Sequence, residues 1–418
     1  AIDLSRTLFL VSSKSGGTIE PNSFYRHFRA LVDEAVDRET AGKSFVAITD
    51  PETPLEELAH SEGFLAVFTN PSDIGGRYSV LSFFGLVPAA LMGVNVTSLL
   101  QQANRMRESC DSSVAAHSNP GAFLGAALVT LATAGRDKLT LVTSPSIGSF
   151  GLWAEQLIAE SLGKHEKGVV PVADEPLIDA DSYGDDRFFV YLRMTGDDNV
   201  ATDESIRQIA ERDHPIVQLD LGDGYDLGAE FFRWEFATAV AGAIIKVNPF
   251  DQPNVQAAKD MTDSVLESYQ ATGKLPDGSF GGPVQDLLGS IADGDYLAIM
   301  AYVSQTPETD RAFETLRRRI AERYGVATTL GYGPRFLHST GQLHKGGPPS
   351  GAFLQITTRH TDGGSIPGAH FSFGTLADAQ ALGDRKALVA AGRRVARLHL
   401  ESDVAAGILG LAIEIAGG

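Results

Sequence analysis

The sequence predicts an α/β protein built from doubly wound parallel sheets. Short apolar runs of strand length alternate with segments in which apolar residues recur at helical spacing, a pattern typical of parallel strands joined by crossover helices. The chain has 418 residues, of which 43% are hydrophobic. That length can bury two or three cores of ordinary domain size. We therefore expect a multi-domain α/β protein.

The first predicted domain spans residues 1–135. Strand patterns occur at residues 7–11, 44–48 and 64–68, and residues 82–134 are predicted to be mostly helical. A doubly wound sheet normally has neighbours on both sides of such a first strand. We therefore expect that an upstream βα unit is missing and that this domain is truncated at its N-terminus.

Two further domains are predicted, at residues 136–270 and 271–418. The first of them is of the same alternating type as residues 1–135, and the second is a C-terminal α/β extension that follows a glycine- and proline-rich connection. Their expected elements are strands at 138–142, near Val169, at 188–192, 216–219 and 296–303, and near Phe353 and Val395, with helices at 227–246, 255–270 and 309–324.

Composition excludes several classes of function. The formal net charge of −19 opposes binding to nucleic acids and anionic membranes, because both require a basic surface. The single cysteine, Cys110, excludes an internal disulfide and a multi-cysteine metal site. No apolar run approaches the length of about 18 residues that a membrane span needs. We expect a cytoplasmic protein.

The loop after the first predicted strand contains Ser13-Lys14-Ser15-Gly16-Gly17-Thr18 and precedes a helix. Hydroxyl groups, glycines and free backbone N–H groups at a helix N-terminus suit a phosphate dianion, and Lys14 adds a positive charge. The same pattern also fits an ordinary strand-to-helix turn with a capping serine. The candidate phosphate ligands are Ser13, Lys14, Ser15 and Thr18.

A second loop contains Gly75-Gly76-Arg77-Tyr78-Ser79 after the strand at 64–68. Glycines allow the backbone to approach a ligand closely, and a fixed guanidinium can stabilise an oxyanion. The alternative is a loop arginine in a surface ion pair.

A third segment, residues 150–164, is predicted to be helical. Trp153, Gln156 and Glu160 share one face of that helix, and Gly163 can cap its end. A carboxylate on a partly apolar face suits a base that removes a proton from carbon. The alternative is a solvated surface carboxylate.

The fourth segment is Asn248–Lys259, in which Pro253 is predicted to begin a helix. Gln252 and Lys259 are seven residues apart and therefore lie on one face. One could hold a phosphate at the helix N-terminus while the other reaches sugar oxygens.

In this order the four segments resemble the phosphoglucose isomerases of the sugar isomerase (SIS) fold, over about two-thirds of the chain. The resemblance implies that Arg77 faces an enediolate intermediate, that Glu160 is the general base and that Lys259 takes part in opening the sugar ring. Gly76 and Gln156 are expected beside the substrate. The implied ligands of the substrate phosphate are Ser13, Lys14, Ser15, Thr18 and Gln252.

The ring-opening histidine lies between the glutamate and the lysine in the family, and of the four candidate histidines only His214 meets that order. His338, His344 and His360 remain alternatives, as structural histidines or as parts of a tail that covers the site. Histidine suits this step because its pKa lies near neutral pH.

The implied activity is reversible conversion of glucose 6-phosphate to fructose 6-phosphate in glycolysis and gluconeogenesis, without metal or other cofactor. Two alternatives stay open: an isomerase for another sugar phosphate, such as mannose 6-phosphate, and a non-catalytic SIS module that senses a sugar phosphate. Residues 271–418 resemble the extension in the isomerase half of bifunctional transaldolase/phosphoglucose isomerases. We therefore expect an upstream transaldolase domain, and a homodimer as in the family.

Overall fold

The computed structural model describes residues 2–276, 278, 281–360 and 363–417, and it contains three sheets with parallel strands. The predicted α/β class is confirmed. Within the described residues, no helix combines the length and apolarity needed to cross a membrane.

The eleven strands of the described part follow the apolar runs of the sequence. Their bounds are β1 Phe9–Ser12, β2 Phe45–Thr49, β3 Ala66–Thr69, β4 Lys138–Thr143, β5 Val170–Ala173, β6 Arg187–Met194, β7 Ile216–Leu221, β8 Tyr296–Tyr302, β9 Ala327–Tyr332, β10 Gly351–Thr358 and β11 Arg394–Leu400.

All but the last of the helices of the described part lie between these strands along the chain, as crossover connections require, and α16 follows β11. Their bounds are α1 Ile19–Ala35, α2 Arg38–Ala41, α3 Pro54–Ser61, α4 Phe83–Leu91, α5 Val96–Ser109, α6 Pro120–Thr133, α7 Phe150–Leu162, α8 Val200–Ala210, α9 Leu227–Ile245, α10 Val255–Thr272, α11 Val284–Gly289, α12 Pro307–Tyr324, α13 Arg335–Ser339, α14 Gly341–Gly346, α15 Phe373–Ala390 and α16 Val404–Gly417.

The chain forms two compact units. The first unit comprises Ala1–Arg105 and Asp362–Thr375, and the second comprises Met106–Thr361 and Leu376–Gly418. Each of the three sheets falls within one of the three predicted domains, although the units divide the chain at other positions. The predicted domain boundaries stay predictions.

The first unit contains the sheet with strand order β1-β2-β3. Every residue of the central strand β2 is buried, which explains its uninterrupted apolar sequence. Val11, Tyr25, Phe45 and Phe64 belong to one core on this sheet. Because all three strands are parallel, the loops that follow them lie at one edge, and these loops include the segments that contain Ser13 and Arg77.

The second unit contains two four-stranded sheets, with orders β5-β4-β6-β7 and β11-β10-β8-β9. One core includes residues of both sheets, among them Val172, Met300 and Phe353, together with Ala159 of α7. The sequence did not predict β9, α15 or α16. It also placed the start of α10 wrongly, because the helix begins at Val255 and not at Pro253.

Candidate active site

The Ser13–Thr18 loop joins β1 to α1 and is held by its own hydroxyl groups. Ser13 Oγ donates to Thr18 Oγ1 at 3.1 Å, and Gly17 N donates to Ser15 Oγ at 3.3 Å. Thr18 is the N-cap residue of α1, yet its side chain makes no capping hydrogen bond. The structure therefore does not show a turn capped by a side chain, which was the alternative to a phosphate-binding loop for this segment.

Lys14 connects the loops that follow all three strands of this sheet. Its ammonium group pairs with the carboxylate of Asp50, after β2, and donates to the carbonyl oxygen of Ser72, after β3, at 2.9 Å. The Lys14 side chain remains 34% exposed. Its charge therefore lies at the carboxyl edge of the sheet, partly neutralised by Asp50.

The backbone at position 16 requires glycine. Its φ is +66°, and a Cβ atom there would lie 2.7 Å from the backbone nitrogen of Leu55 at the start of α3. A side chain would be strained and would collide with backbone, so the close approach of this loop to α3 depends on glycine.

Arg77 lies in a tight turn, Gly76–Tyr78, after β3. It is only 6% exposed, and its guanidinium carbon lies 5.5 Å from the centre of the Tyr78 ring. Ser79 Oγ donates to the Gly76 carbonyl at 2.6 Å and fixes the turn. This burial does not fit the alternative of a surface ion pair.

In the second unit, Glu160 lies on the last turns of α7, where it is partly buried. Gln156 Nε2 donates to Glu160 Oε2 at 3.3 Å, which confirms that the two side chains share a helix face. The same amide donates to the backbone carbonyl of His338, in α13, also at 3.3 Å. A segment of the C-terminal region thus lies directly beside the candidate base.

The Asn248–Asp251 turn is anchored next to the end of α7 by Lys164. The Lys164 side chain is 1% exposed, and its ammonium group binds the carbonyl oxygens of Asn248 and Asp251 and a carboxylate oxygen of Asp251, the last at 2.8 Å. Gln252 follows this turn and is exposed, as is Lys259 on the first turns of α10.

Gln342, in α14, joins the same two segments and is fully buried. Its Nε2 donates to the carbonyl oxygen of Gly163 at 2.9 Å and to Asn254 Oδ1 at 2.7 Å. In return, Asn254 N donates to Gln342 Oε1 at 2.8 Å. Two segments far from α7 in sequence, residues 248–254 and the α13–α14 region, therefore meet at the end of α7.

Part of the chain is similar to known enzymes of one family. Residues 1–168 match the phosphoglucose isomerase family. Two glucose-6-phosphate isomerases of Staphylococcus aureus, from strains bovine RF122 / ET3-1 and Newman, are each 30% identical over 293 residues, which cover 61% of this chain and 66% of those proteins. The chain thus spans just under two thirds of these relatives.

Two solved structures share the fold of this chain. A protein of Thermus thermophilus described as hypothetical has a TM-score of 0.57 at 24% identity, over 63% of this chain and 72% of that one. A glucose-6-phosphate isomerase from Chlamydia trachomatis has a TM-score of 0.51 at 19% identity, over 66% of this chain and 61% of that one.

The structure does not bring His214 to Glu160. His214 is 7% exposed, its ring lies 5.7 Å from that of Phe189 on β6, and its Nδ1 has no hydrogen-bond partner among the described residues. Burial lowers the pKa of His214, and the charges of Arg136 and Arg187 lower it further.

The position of His214 follows from the alternation of side chains along parallel strands. Phe189 is in register with Thr140 and belongs to one core with Val142, so it lies on the opposite face from Leu141. Helix α7 packs through Gly151 on the face of Leu141. The sheet therefore separates His214 from the helix that contains Glu160.

The other two histidines have structural surroundings. His344 is 3% exposed and lies against the ring of Phe353 at 5.0 Å, and burial lowers its pKa well below the usual value. His360 Nδ1 lies 2.8 Å from a carboxylate oxygen of Asp378. Of the four histidines that the sequence left open, His338 is the one whose backbone contacts the Gln156–Glu160 pair.

Sequence reasoning missed Lys164 and Gln342 as residues of the candidate site. Lys164 carried a weak signal, since it follows the predicted base by four residues beyond a helix-capping glycine. Gln342 carried none, because its partners lie 179 and 88 positions away along the chain.

Proposed function

We propose that this chain is a glucose-6-phosphate isomerase, which interconverts glucose 6-phosphate and fructose 6-phosphate through a cis-enediolate. The observation that supports it most is the convergence on the end of α7: Glu160 with Gln156, the turn before Gln252, and the helix that contains His338. The homology over residues 1–168 supports the same conclusion.

We assign binding of the substrate phosphate mainly to the Ser13–Thr18 loop. The hydroxyl groups of Ser13, Ser15 and Thr18 and the charge of Lys14 would hold the phosphate, since they lie on one loop at the carboxyl edge of the sheet. Binding energy from this remote group holds the reacting carbons in register. Gln252 is proposed as a further phosphate ligand.

We assign the transfer of the carbon-bound proton to Glu160. Glu160 removes the proton from C2 of the open-chain aldose and returns it to C1, and Gln156 keeps its carboxylate oriented. The guanidinium of Arg77 stabilises the oxyanion of the enediolate between these two transfers. Gly76 allows the backbone of the Arg77 turn to approach the sugar.

Ring opening moves a proton between the ring oxygen and the anomeric hydroxyl. We assign this step to His338 with Lys259 in place of His214, because the peptide of His338 contacts the Gln156–Glu160 pair and the sheet separates His214 from it. His338 follows Lys259 along the chain and so does not meet the order that favoured His214. We base the assignment on the spatial contact with Gln156 and not on chain order.

The test is conversion of fructose 6-phosphate to glucose 6-phosphate, followed by coupled oxidation of the product, with mannose 6-phosphate as a competing substrate. We expect the parent chain to turn over fructose 6-phosphate in preference to mannose 6-phosphate. Glu160→Gln removes the base and keeps the side-chain volume, so kcat should fall about 10²- to 10⁴-fold. The matched control is Glu204→Gln, an exposed carboxylate on α8.

Three results would contradict this proposal in different ways. Unchanged turnover in Glu160→Gln would remove Glu160 from the mechanism. Equal or greater turnover of mannose 6-phosphate would indicate another sugar-phosphate isomerase. Calorimetric binding of fructose 6-phosphate without turnover in the parent would indicate a sensor.

A further inference from the structure

A cavity of about 770 Å³ lies in the second unit, where strands of both its sheets end. Thr143 ends β4, Asp174 follows β5, Gln305 follows β8 and Tyr332 ends β9, and all four residues line it. The crevice at the carboxyl ends of parallel strands is the usual place for a ligand in α/β folds. None of the candidate active-site residues lines this cavity.

Asp174 is held in an unusual backbone conformation at the cavity wall. Its φ is +50°, in the left-handed region that non-glycine residues seldom adopt. Arg317 fixes this conformation, since its Nη1 donates to the Asp174 carbonyl at 2.6 Å and its Nη2 to the Ala173 carbonyl at 2.9 Å. The Asp174 side chain is exposed and lines the cavity, so its carboxylate is accessible to a ligand there. Strain of this kind clusters at ligand sites.

Glu155 is a second carboxyl group near the cavity: it does not line the cavity itself, but the lining residue Arg335 lies against it. It lies on α7, is 2% exposed, and has Nη2 of Arg335 at 3.6 Å from its Oε1, beyond hydrogen-bond distance. Burial raises the pKa of Glu155 to about 7, although Arg335 and Arg317 act against this rise and Asp174 adds to it. A bound positive charge would stabilise the ionised form of both carboxyl groups.

The cationic side chains of the cavity are already committed to other partners. Arg317 is 3% exposed and donates to the side chain of Thr328 and to three backbone carbonyls, those of Ala173, Asp174 and Thr328. Arg335 lies against Glu155 and is 47% exposed. An anionic ligand would therefore meet carboxylates and few available donors.

A metal ion is also a poor fit. Across the part of the chain that the structure describes, no group of three or more His, Cys, Asp or Glu side chains could hold a metal ion. Much of the wall is apolar, through Leu141, Val142, Leu152, Leu177 and Leu330. The lining suits a ligand with a positive head and an aliphatic body, and the volume lies within the usual range for small organic ligands.

We propose that this cavity binds a small aliphatic amine, whose ammonium group is held by Asp174 and Glu155. At Glu155 the ammonium group would take the place of the partly exposed Arg335 guanidinium. The aliphatic body would lie on the leucine-rich wall. This site is separate from the candidate active site and does not depend on the proposed isomerase activity.

The test is isothermal titration calorimetry of the full chain at pH 7.5 with 1,4-diaminobutane, and with 1,4-butanediol and succinate as neutral and anionic probes of the same chain length. We expect binding of the diamine only. Asp174→Asn should weaken it at least tenfold, and asparagine is suitable because it tolerates positive φ. Glu155→Gln should weaken binding by a similar factor, and the two substitutions together should abolish it.

Glu322→Gln is the control for unspecific attraction to an acidic protein, because Glu322 lies on α12 in an exposed pair with Arg319. It should bind the diamine as the parent does. Equal heats for the diol and the diamine would overturn the proposal, and so would parental affinity in Asp174→Asn and Glu155→Gln. A loss in Glu322→Gln equal to that in Asp174→Asn would also overturn it, by indicating surface binding.

Discussion

The two regions that contain the candidate residues are built differently. In the first unit, Ser13 and Arg77 lie on short loops that follow neighbouring parallel strands, so the topology of the sheet alone brings the loops to one edge. In the second unit, Glu160, Gln252 and His338 come from segments that buried side chains hold together, namely Lys164 and Gln342.

This difference predicts how each region responds to substitution. A ligand-binding side chain on a strand-end loop can change without loss of the sheet that positions it. In the second unit, geometry depends on buried polar contacts, and removal of one partner leaves another unsatisfied. Substitutions at the site residues of the first unit should therefore lower activity without loss of stability. Substitutions of the buried polar residues in the second unit should lower both.

The largest expected effect concerns the two histidines. His338→Gln should lower the rate of ring opening, and thus kcat with the cyclic substrate, about 10²- to 10³-fold, because the imidazole is the proposed proton carrier. His214→Gln should leave kcat within about threefold of the parent. Stopped-flow turnover of fructose 6-phosphate measures both.

The reverse result, in which His214→Gln loses activity and His338→Gln does not, would restore the assignment of ring opening to His214.

The buried His214 should also make the stability of the protein depend on pH. Its pKa is lowered in the folded state, so the histidine contributes stability above its unfolded pKa that is lost as pH falls. Urea denaturation at pH 5 and pH 8 should show that glutamine removes part of this pH dependence.

Substitution of Arg77 tests whether the strand-end loops of the first unit can change without loss of stability. Arg77→Lys keeps the charge but loses the planar guanidinium, so kcat should fall about 10²-fold. The free energy of unfolding should change by less than about 1 kcal/mol if the loop is as independent as proposed. Steady-state kinetics and urea denaturation of the same preparation give both values.

Arg29→Lys is the matched control, since Arg29 is also mostly buried in the first unit and pairs with Asp33 and Glu62. It should lose stability and keep kcat. If Arg77→Lys lost stability and activity together, the proposed independence of the strand-end loop would be wrong.

Much of the fold could be predicted because its signals are local. Buried parallel strands such as β2 and β8 are uninterrupted apolar runs, and the structure shifts their bounds by only a residue or so. β9 was missed because threonines and a glycine interrupt its apolar character. The start of α10 was placed too early because proline at 253 precedes an Asn254 that serves as the N-cap.

The candidate site was predictable where one segment supplies a complete arrangement. The Ser13–Thr18 loop, the Arg77 turn and the Gln156–Glu160 face are each contained in a few residues. The ring-opening histidine could not be predicted in this way, because chain order does not determine which face of a sheet His214 occupies. The contact of Gln156 with His338 joins positions 182 residues apart, and no pattern in the sequence encodes it.

The smallest expected effect tests the second half of the comparison. Gln342→Leu leaves the Gly163 carbonyl and the Asn254 N–H without their buried partner, which should cost about 1–3 kcal/mol of unfolding free energy. Gln342 is a positioning residue: it touches no substrate but fixes the end of α7 against the segment of Gln252 and Lys259. We expect kcat to fall about tenfold, with a smaller change in KM.

Gln355→Leu provides the control that separates positioning from stability. Gln355 is equally buried, and its Nε2 donates to the carbonyl of Ala381 at 2.8 Å, in contact with neither α7 nor α10 through that bond. It should lose a similar unfolding free energy and keep kcat. Equal kcat losses in both variants would mean that activity follows stability alone, and the convergence on α7 would then have no special part in the reaction.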